Sequence, residues 1–133
     1  MDRTIVLYDS DCGFCKRMLA KFLLWDRGRR LRPVALQSDE AGGLLAGMPE
    51  DERMASWHLV TPDGSVRSGG EAVAPLLRLL PGGSPLAWIA ERLSGPVDRG
   101  YRWVAANRSA LSRRLPGGEG AKRRAERRIA AHR

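Results

Sequence analysis

The two cysteines of the chain, Cys12 and Cys15, are separated by two residues in Leu7-Tyr8-Asp9-Ser10-Asp11-Cys12-Gly13-Phe14-Cys15-Lys16. An apolar run, Thr4-Ile5-Val6-Leu7-Tyr8, leads into the pair and a helical pattern leads out of it. A strand, a short turn and Cys-x-x-Cys at a helix start is the arrangement that dithiol–disulfide exchange requires. Unpaired backbone N–H groups and the helix dipole favour a thiolate on the first cysteine. The second lies one turn further, within reach of a mixed disulfide. Cys12 is therefore expected to be the nucleophile and the better exposed thiol, with Cys15 the more buried resolving partner. Asp11 opposes a thiolate, while Lys16 and the dipole offset it, so a moderately lowered Cys12 pKa is expected. Asp9 has two readings: a proton relay for Cys15, or a cap of the turn through its side-chain oxygen.

Other chemistry for the pair is weaker. Two buried structural thiols would not need the strand-to-helix position. A zinc site needs two further ligands, and beyond carboxylates only His58 and His132 are available, one mid-strand and one in the C-terminal segment. No metal or cofactor is expected. Gly69-Gly70 ahead of a helix suits a glutathione-like cradle or plain turn chemistry, and Glu71 would repel an anion. Trp25, Trp57, Trp88 and Trp103 fall in different elements and read as packing residues.

At 133 residues the chain suits one domain with a real core. The N-terminus has no signal-peptide pattern and no stretch approaches the roughly 20 apolar residues of a membrane span. The expectation is a protein of a reducing cytoplasm. The net charge of +8 is unevenly placed. Residues 1–98 hold 12 Lys+Arg against 13 Asp+Glu, and residues 99–133 hold 11 against 2. That asymmetry suits a basic region contacting polyanions, and equally a solvated helix with a frayed tail.

Residues 12–27 read as a helix with Cys15, Met18, Leu19, Phe22 and Leu23 on one stripe, stopped at Asp26-Arg27-Gly28. Leu31–Leu36 reads as a strand, and Pro33 puts it at an edge. Residues 38–47 read as a loose helix. Thr61-Pro62-Asp63-Gly64 joins Trp57–Val60 to Ser65–Arg67 as a hairpin, and a helix follows over 71–80. Pro85–Leu93 is a short helix. Val97, Tyr101, Val104, Leu111 and Leu115 form a stripe over 97–115, interrupted by Arg108, and Pro116-Gly117-Gly118 ends it. Residues 119–133 contain Ile129 as their one large aliphatic side chain, which predicts disorder or a marginal helix. The domain expected is 1–115, followed by a flexible basic tail, 116–133. The order β-α-β-α-β-β-α with additional C-terminal helices matches a thioredoxin-like α/β layout.

With these elements in place the chain resembles the DCC family of thiol-disulfide oxidoreductases, whose signature is Tyr-Asp-Gly-x-Cys-x-x-Cys. Tyr8, Asp9, Cys12 and Cys15 match it, with Ser10 in place of the glycine. The likeness continues through Asp26-Arg27, Leu36-Gln37-Ser38, Asp63-Gly64, Gly70 and Ala72, and Tyr101-Arg102-Trp103-Val104-Ala105 with Asn107-Arg108, covering about residues 4–115. The resemblance implies a thioredoxin-like fold and thiol-disulfide exchange on a protein substrate or a glutathione-like thiol. One departure from thioredoxins and glutaredoxins concerns substrate docking. Those proteins place a cis-proline opposite the dithiol, before the third strand, where this chain has Ser56. A second function class is a thioredoxin-like binding module that docks its basic C-terminal region on nucleic acid, acidic protein or a membrane surface.

Overall fold

All five side chains of Thr4–Tyr8 are buried, and this run forms the central strand β1. A strand sends alternate side chains to opposite faces, and β1 does so with apolar groups on both. Val6 and Tyr8 join Leu19, Leu23, Leu31, Leu59 and Leu76 on one side. Ile5 and Leu7 join Val34, Leu36, Ala41, Leu45 and Val60 on the other. A strand with two apolar faces must be covered twice. The computed structural model, which describes residues 3–114 and 118–132, places helices on both faces.

The sheet order is β2-β1-β3-β4. Strand β2, Leu31–Ala35, lies parallel to β1 at one edge. Pro33 pairs with Val6, a position tolerated because only one side of β2 carries a partner strand. Strands β3, His58–Val60, and β4, Val66–Ser68, form the antiparallel hairpin expected around Asp63-Gly64. Helix α1, Gly13–Trp25, makes the crossover from β1 to β2. Helices α2, Asp39–Leu44, and α3, Glu50–Ala55, connect β2 to β3. Helix α3 was not foreseen, because its six residues bury no side chain fully and show no apolar period. A 3-10 turn, Gly69–Ala72, leads into α4, Val73–Leu79. The fold is thioredoxin-like α/β.

Beyond that core lie α5, Ser84–Arg92, α6, Ser94–Ala106, and α7, Arg108–Arg114. The single helix expected over 97–115 is two, divided at Asn107. The Asn107 side-chain amide donates to the Trp103 carbonyl (2.7 Å), satisfying one of the last acceptors of α6. The expected stop at Pro116-Gly117 lies outside the described residues.

Residues 118–132 are not a loose tail. They form helix α8, Gly118–His132, which packs along α1 and reaches β2. The expectation counted apolar burial alone, and Ile129 is indeed the one large aliphatic contribution, 2 % exposed in the main core beside a buried Ala125. Polar contacts supply the rest. Glu126 pairs with the buried Lys16 of α1 at 2.8 Å. His132 Nε2 donates to Asp26 Oδ2 at 2.9 Å in a buried contact. Arg3 and Arg29 donate to the carbonyls of His132 and Ala131, two of the acceptors that a helix C-terminus leaves open. Among the described residues no helix is long and apolar enough to cross a membrane.

Candidate active site

Strand β1 ends at Tyr8, and the chain turns through Asp9-Ser10-Asp11 before α1 begins. Asp9 Oδ1 accepts the Asp11 N–H (2.9 Å) and the Gln37 side-chain amide (2.7 Å). Gln37 Oε1 in turn accepts from the Ser10 N–H and hydroxyl at 3.1 and 2.7 Å. Of the two readings of Asp9, the turn cap is the one these bonds describe. Its second oxygen, Oδ2, stands 3.7 Å from the Arg108 guanidinium.

Cys12 occupies the N-cap of α1 with extended backbone angles, and its Sγ accepts the backbone N–H of Cys15 at 3.2 Å. Ser, Thr, Asp and Asn usually hold this position, because an acceptor there satisfies an otherwise unpaired amide. A sulfur in that slot accepts best as a thiolate, and the helix dipole acts in the same direction. No acidic residue occupies the first turn of α1. Lys16 does not help as the sequence suggested, because its ammonium turns away to Glu126.

The exposure of the two thiols is the reverse of the expectation. Cys12 is 8 % exposed, and Cys15 is half-buried on the wall of a cavity. The physical reason is the capping geometry: accepting an N–H of its own helix folds the Cys12 sulfur back over the first turn. The Cys15 pKa is pushed far up, first by its hydrogen bond to Cys12, then by burial and by the Cys12 charge. Arg108 works against that rise. Cys15 is thus the protonated member, its S–H directed to Cys12.

Arg108, the first residue of α7, completes the group. Burial disfavours its charge, but Cys15, Cys12 and Asp9 together hold its pKa above the ordinary arginine value. It also donates to the Met54 carbonyl at 3.4 Å. In the sequence Arg108 appeared as a break in an apolar helical stripe and within the Asn107-Arg108 part of the family likeness, with no role assigned to it. That break was the signal: an arginine on the inward face of a helix needs an acceptor there, and this one meets the dithiol and Asp9.

Tyr101 is the second residue missed. Its hydroxyl accepts the Trp57 backbone N–H at 3.1 Å, and burial raises its pKa. Ser56, the residue in the cis-proline position, precedes Trp57 in extended conformation, and every peptide bond among the described residues is trans. The Trp57 carbonyl accepts the Gly69 N–H at 3.1 Å. Gly69 has φ +58°, and a Cβ there would come within 3.2 Å of the Tyr101 ring. A Cβ on Gly70 would sit 2.9 Å from the Asp98 Cα. These two glycines admit α6 against the 3-10 turn, and the cradle entertained from the sequence is filled by that helix. Of the histidines, His58 is buried between Ser68 Oγ (2.6 Å) and the Arg53 carbonyl (2.9 Å), and His132 is held by Asp26.

A family model described as DCC1-like thiol-disulfide oxidoreductase matches residues 6–114. No curated protein and no solved structure matches the chain.

Proposed function

The chain belongs to the DCC1-like thiol-disulfide oxidoreductase family, and from that premise we propose that it cycles Cys12 and Cys15 between dithiol and disulfide. The observation that carries this reading is the shared hydrogen-bonding of the pair: Cys12 Sγ caps α1 on the Cys15 N–H, while the Cys15 thiol is held protonated against Cys12. In the reduced protein, the Cys12 thiolate attacks one sulfur of a substrate disulfide, forming a mixed disulfide and releasing one substrate thiolate. The Cys15 proton leaves with that thiolate. Cys15, now ionised beside Arg108, attacks the Cys12 sulfur, closes the Cys12–Cys15 bond and expels the second substrate thiolate. The substrate gains two electrons and the protein loses two. Asp9 serves as the fixed anchor of the turn and partner of Arg108.

The test is a pair of serine variants. Cys12→Ser is expected to abolish disulfide reduction with the fold intact. Cys15→Ser is expected to accumulate a mixed disulfide on Cys12, identifiable by peptide mapping. Turnover surviving in Cys12→Ser, or mixed disulfide mapping to Cys15 in wild-type protein, would overturn the assignment.

A second reading concerns the basic region. Arg123, Arg124, Arg127 and Arg128 are all exposed on the outer side of α8, a folded basic helix in place of a loose arm. Contact with polyanions through this face predicts salt-sensitive binding that Arg123→Glu with Arg127→Glu removes, at unchanged thiol reactivity. Salt-insensitive binding, or none, would reject it.

A further inference from the structure

Cys15 forms part of the wall of a partly open apolar cavity of about 270 Å³ bounded by α1, α4, α6, the start of α7 and the sheet. Its body is lined by Phe14, Met18, Phe22, Trp57, Leu77 and Val104, and its polar groups gather at the end where Cys15, Asp9 and Arg108 meet. The volume is nearly twice the roughly 150 Å³ of an apolar cavity that takes benzene. It has room for an aryl-methyl or branched aliphatic group with its sulfur. Its apolar wall faces solvent in part, with Met18 exposed, and an apolar guest would remove that surface from water.

Two further observations bear on what the guest is. An extended peptide docking at the third strand needs free backbone groups near residue 57, and both are engaged, the N–H by Tyr101 and the carbonyl by Gly69. A peptide-like thiol docking at the glycine pair would meet Asp98 and the Tyr101 ring, which already cover it. The Trp57 backbone is thus engaged by α6 and by the 3-10 turn, the glycine pair is covered by α6, and the open space beside the dithiol is apolar.

We infer that the cavity beside Cys15 seats the hydrophobic body of a small apolar disulfide, one aryl-methyl or branched alkyl half inside and its sulfur at the dithiol. This rests on the oxidoreductase reading above and names its substrate class. The Cys12 thiolate attacks the sulfur of the seated half, the substrate S–S bond breaks, and the outer half leaves as a thiolate that takes the Cys15 proton. Cys15 then attacks Cys12 Sγ, and the seated half leaves as a thiolate. One disulfide is reduced by two electrons, one dithiol is oxidised, and a single turnover of pre-reduced protein needs no other reactant.

The test compares single-turnover rates of the pre-reduced full chain with dibenzyl disulfide and with bis(2-hydroxyethyl) disulfide. Each rate is divided by the rate of the same disulfide with a free small dithiol, which removes intrinsic reactivity. A normalised preference of at least about tenfold for the benzyl compound is expected, given the free energy of burying a phenyl-sized group. Val104→Trp, which fills the cavity, is expected to bring the ratio toward one, with folding checked by thermal melting. Naphthalene, which carries no sulfur, is expected to slow the dibenzyl reaction of the wild-type protein competitively, a readout independent of any variant. Equal normalised rates, or no inhibition by naphthalene, would overturn the substrate class while leaving the oxidoreductase reading standing. Reduction of neither disulfide would overturn both.

Discussion

The Cys12 sulfur sits where most helices place an oxygen, and its chemistry follows from that substitution. A thiolate there accepts an amide N–H that would otherwise lack a partner, so ionisation and helix capping support each other. Cys15, its pKa raised chiefly by the bond to Cys12, stays a thiol at neutral pH. Because reactivity belongs to the thiolate, Cys12 is expected to alkylate first at pH 7 although it is the less exposed of the two. Competitive labelling with peptide mapping checks this, and faster modification of Cys15 would refute it. Arg108 places a positive charge that interacts with both sulfurs. Arg108→Met is expected to move the alkylation midpoint of Cys12 to higher pH, slowing labelling at pH 7 by several-fold to about tenfold, one pKa unit being a factor of ten. Arg108→Lys is expected to restore part of that rate, which distinguishes a charge effect from lost packing.

Among the helices, α8 and α6 do the work that the sequence hid. Helix α8 is held by one buried isoleucine, one short ion pair and a set of bonds at its C-terminal end. Ile129→Ala is expected to cost about 2–5 kcal/mol, the range for a large buried aliphatic truncated to alanine, and denaturant unfolding measures it. Removal of residues 118–133 is expected to lower the melting temperature clearly, since it takes Ile129 out of the main core and strips the His132 partner from Asp26. An unchanged melting temperature would show that α8 contributes nothing to the core. Helix α6 acts at the site by closing over the 3-10 turn. Gly70→Ala places a methyl against the Asp98 backbone and is expected to lift α6, loosening the Tyr101 bond to Trp57. Faster hydrogen exchange at the Trp57 amide would report it.

The molecule as a whole carries a pH dependence in the region where histidine titrates. His58 is buried, and that burial lowers its pKa below the usual value near 6.5, with the Arg53 carbonyl opposing. The neutral ring, with Nε2–H donated to Arg53 and Nδ1 accepting from Ser68, satisfies both contacts. The unfolded chain then binds the proton more readily than the folded one. Stability from this group is present above about pH 6.5 and is lost as pH falls toward the folded-state pKa. The melting temperature is expected to drop between pH 7 and 5.5, and the drop to flatten in His58→Gln whatever that variant's own stability. Glu40, held low by Arg32, adds a loss of the same sign only in the more acidic carboxylate range, so the two windows separate.

Cys12, Cys15 and Asp9, the strand that presents them and the helix that follows were all legible from the sequence. Each depends on short-range pattern: an apolar run, a turn, a helical stripe, a proline at an edge position. The sheet order followed because a β-α-β crossover and a tight hairpin leave little topological freedom. What tertiary structure decided were contacts between residues far apart in the chain. Arg108 meets Asp9 across 99 positions and His132 meets Asp26 across 106, and no local period encodes either. The same holds for the thiols: their spacing announces the chemistry, but which sulfur is covered depends on the folded-back cap. It depends too on a cavity assembled from α1, α4 and α6. Helix α8 shows the physical reason most directly. Its apolar content is too small to predict docking, and its polar groups become stabilising only when their partners on α1 and the β2 edge are brought opposite them.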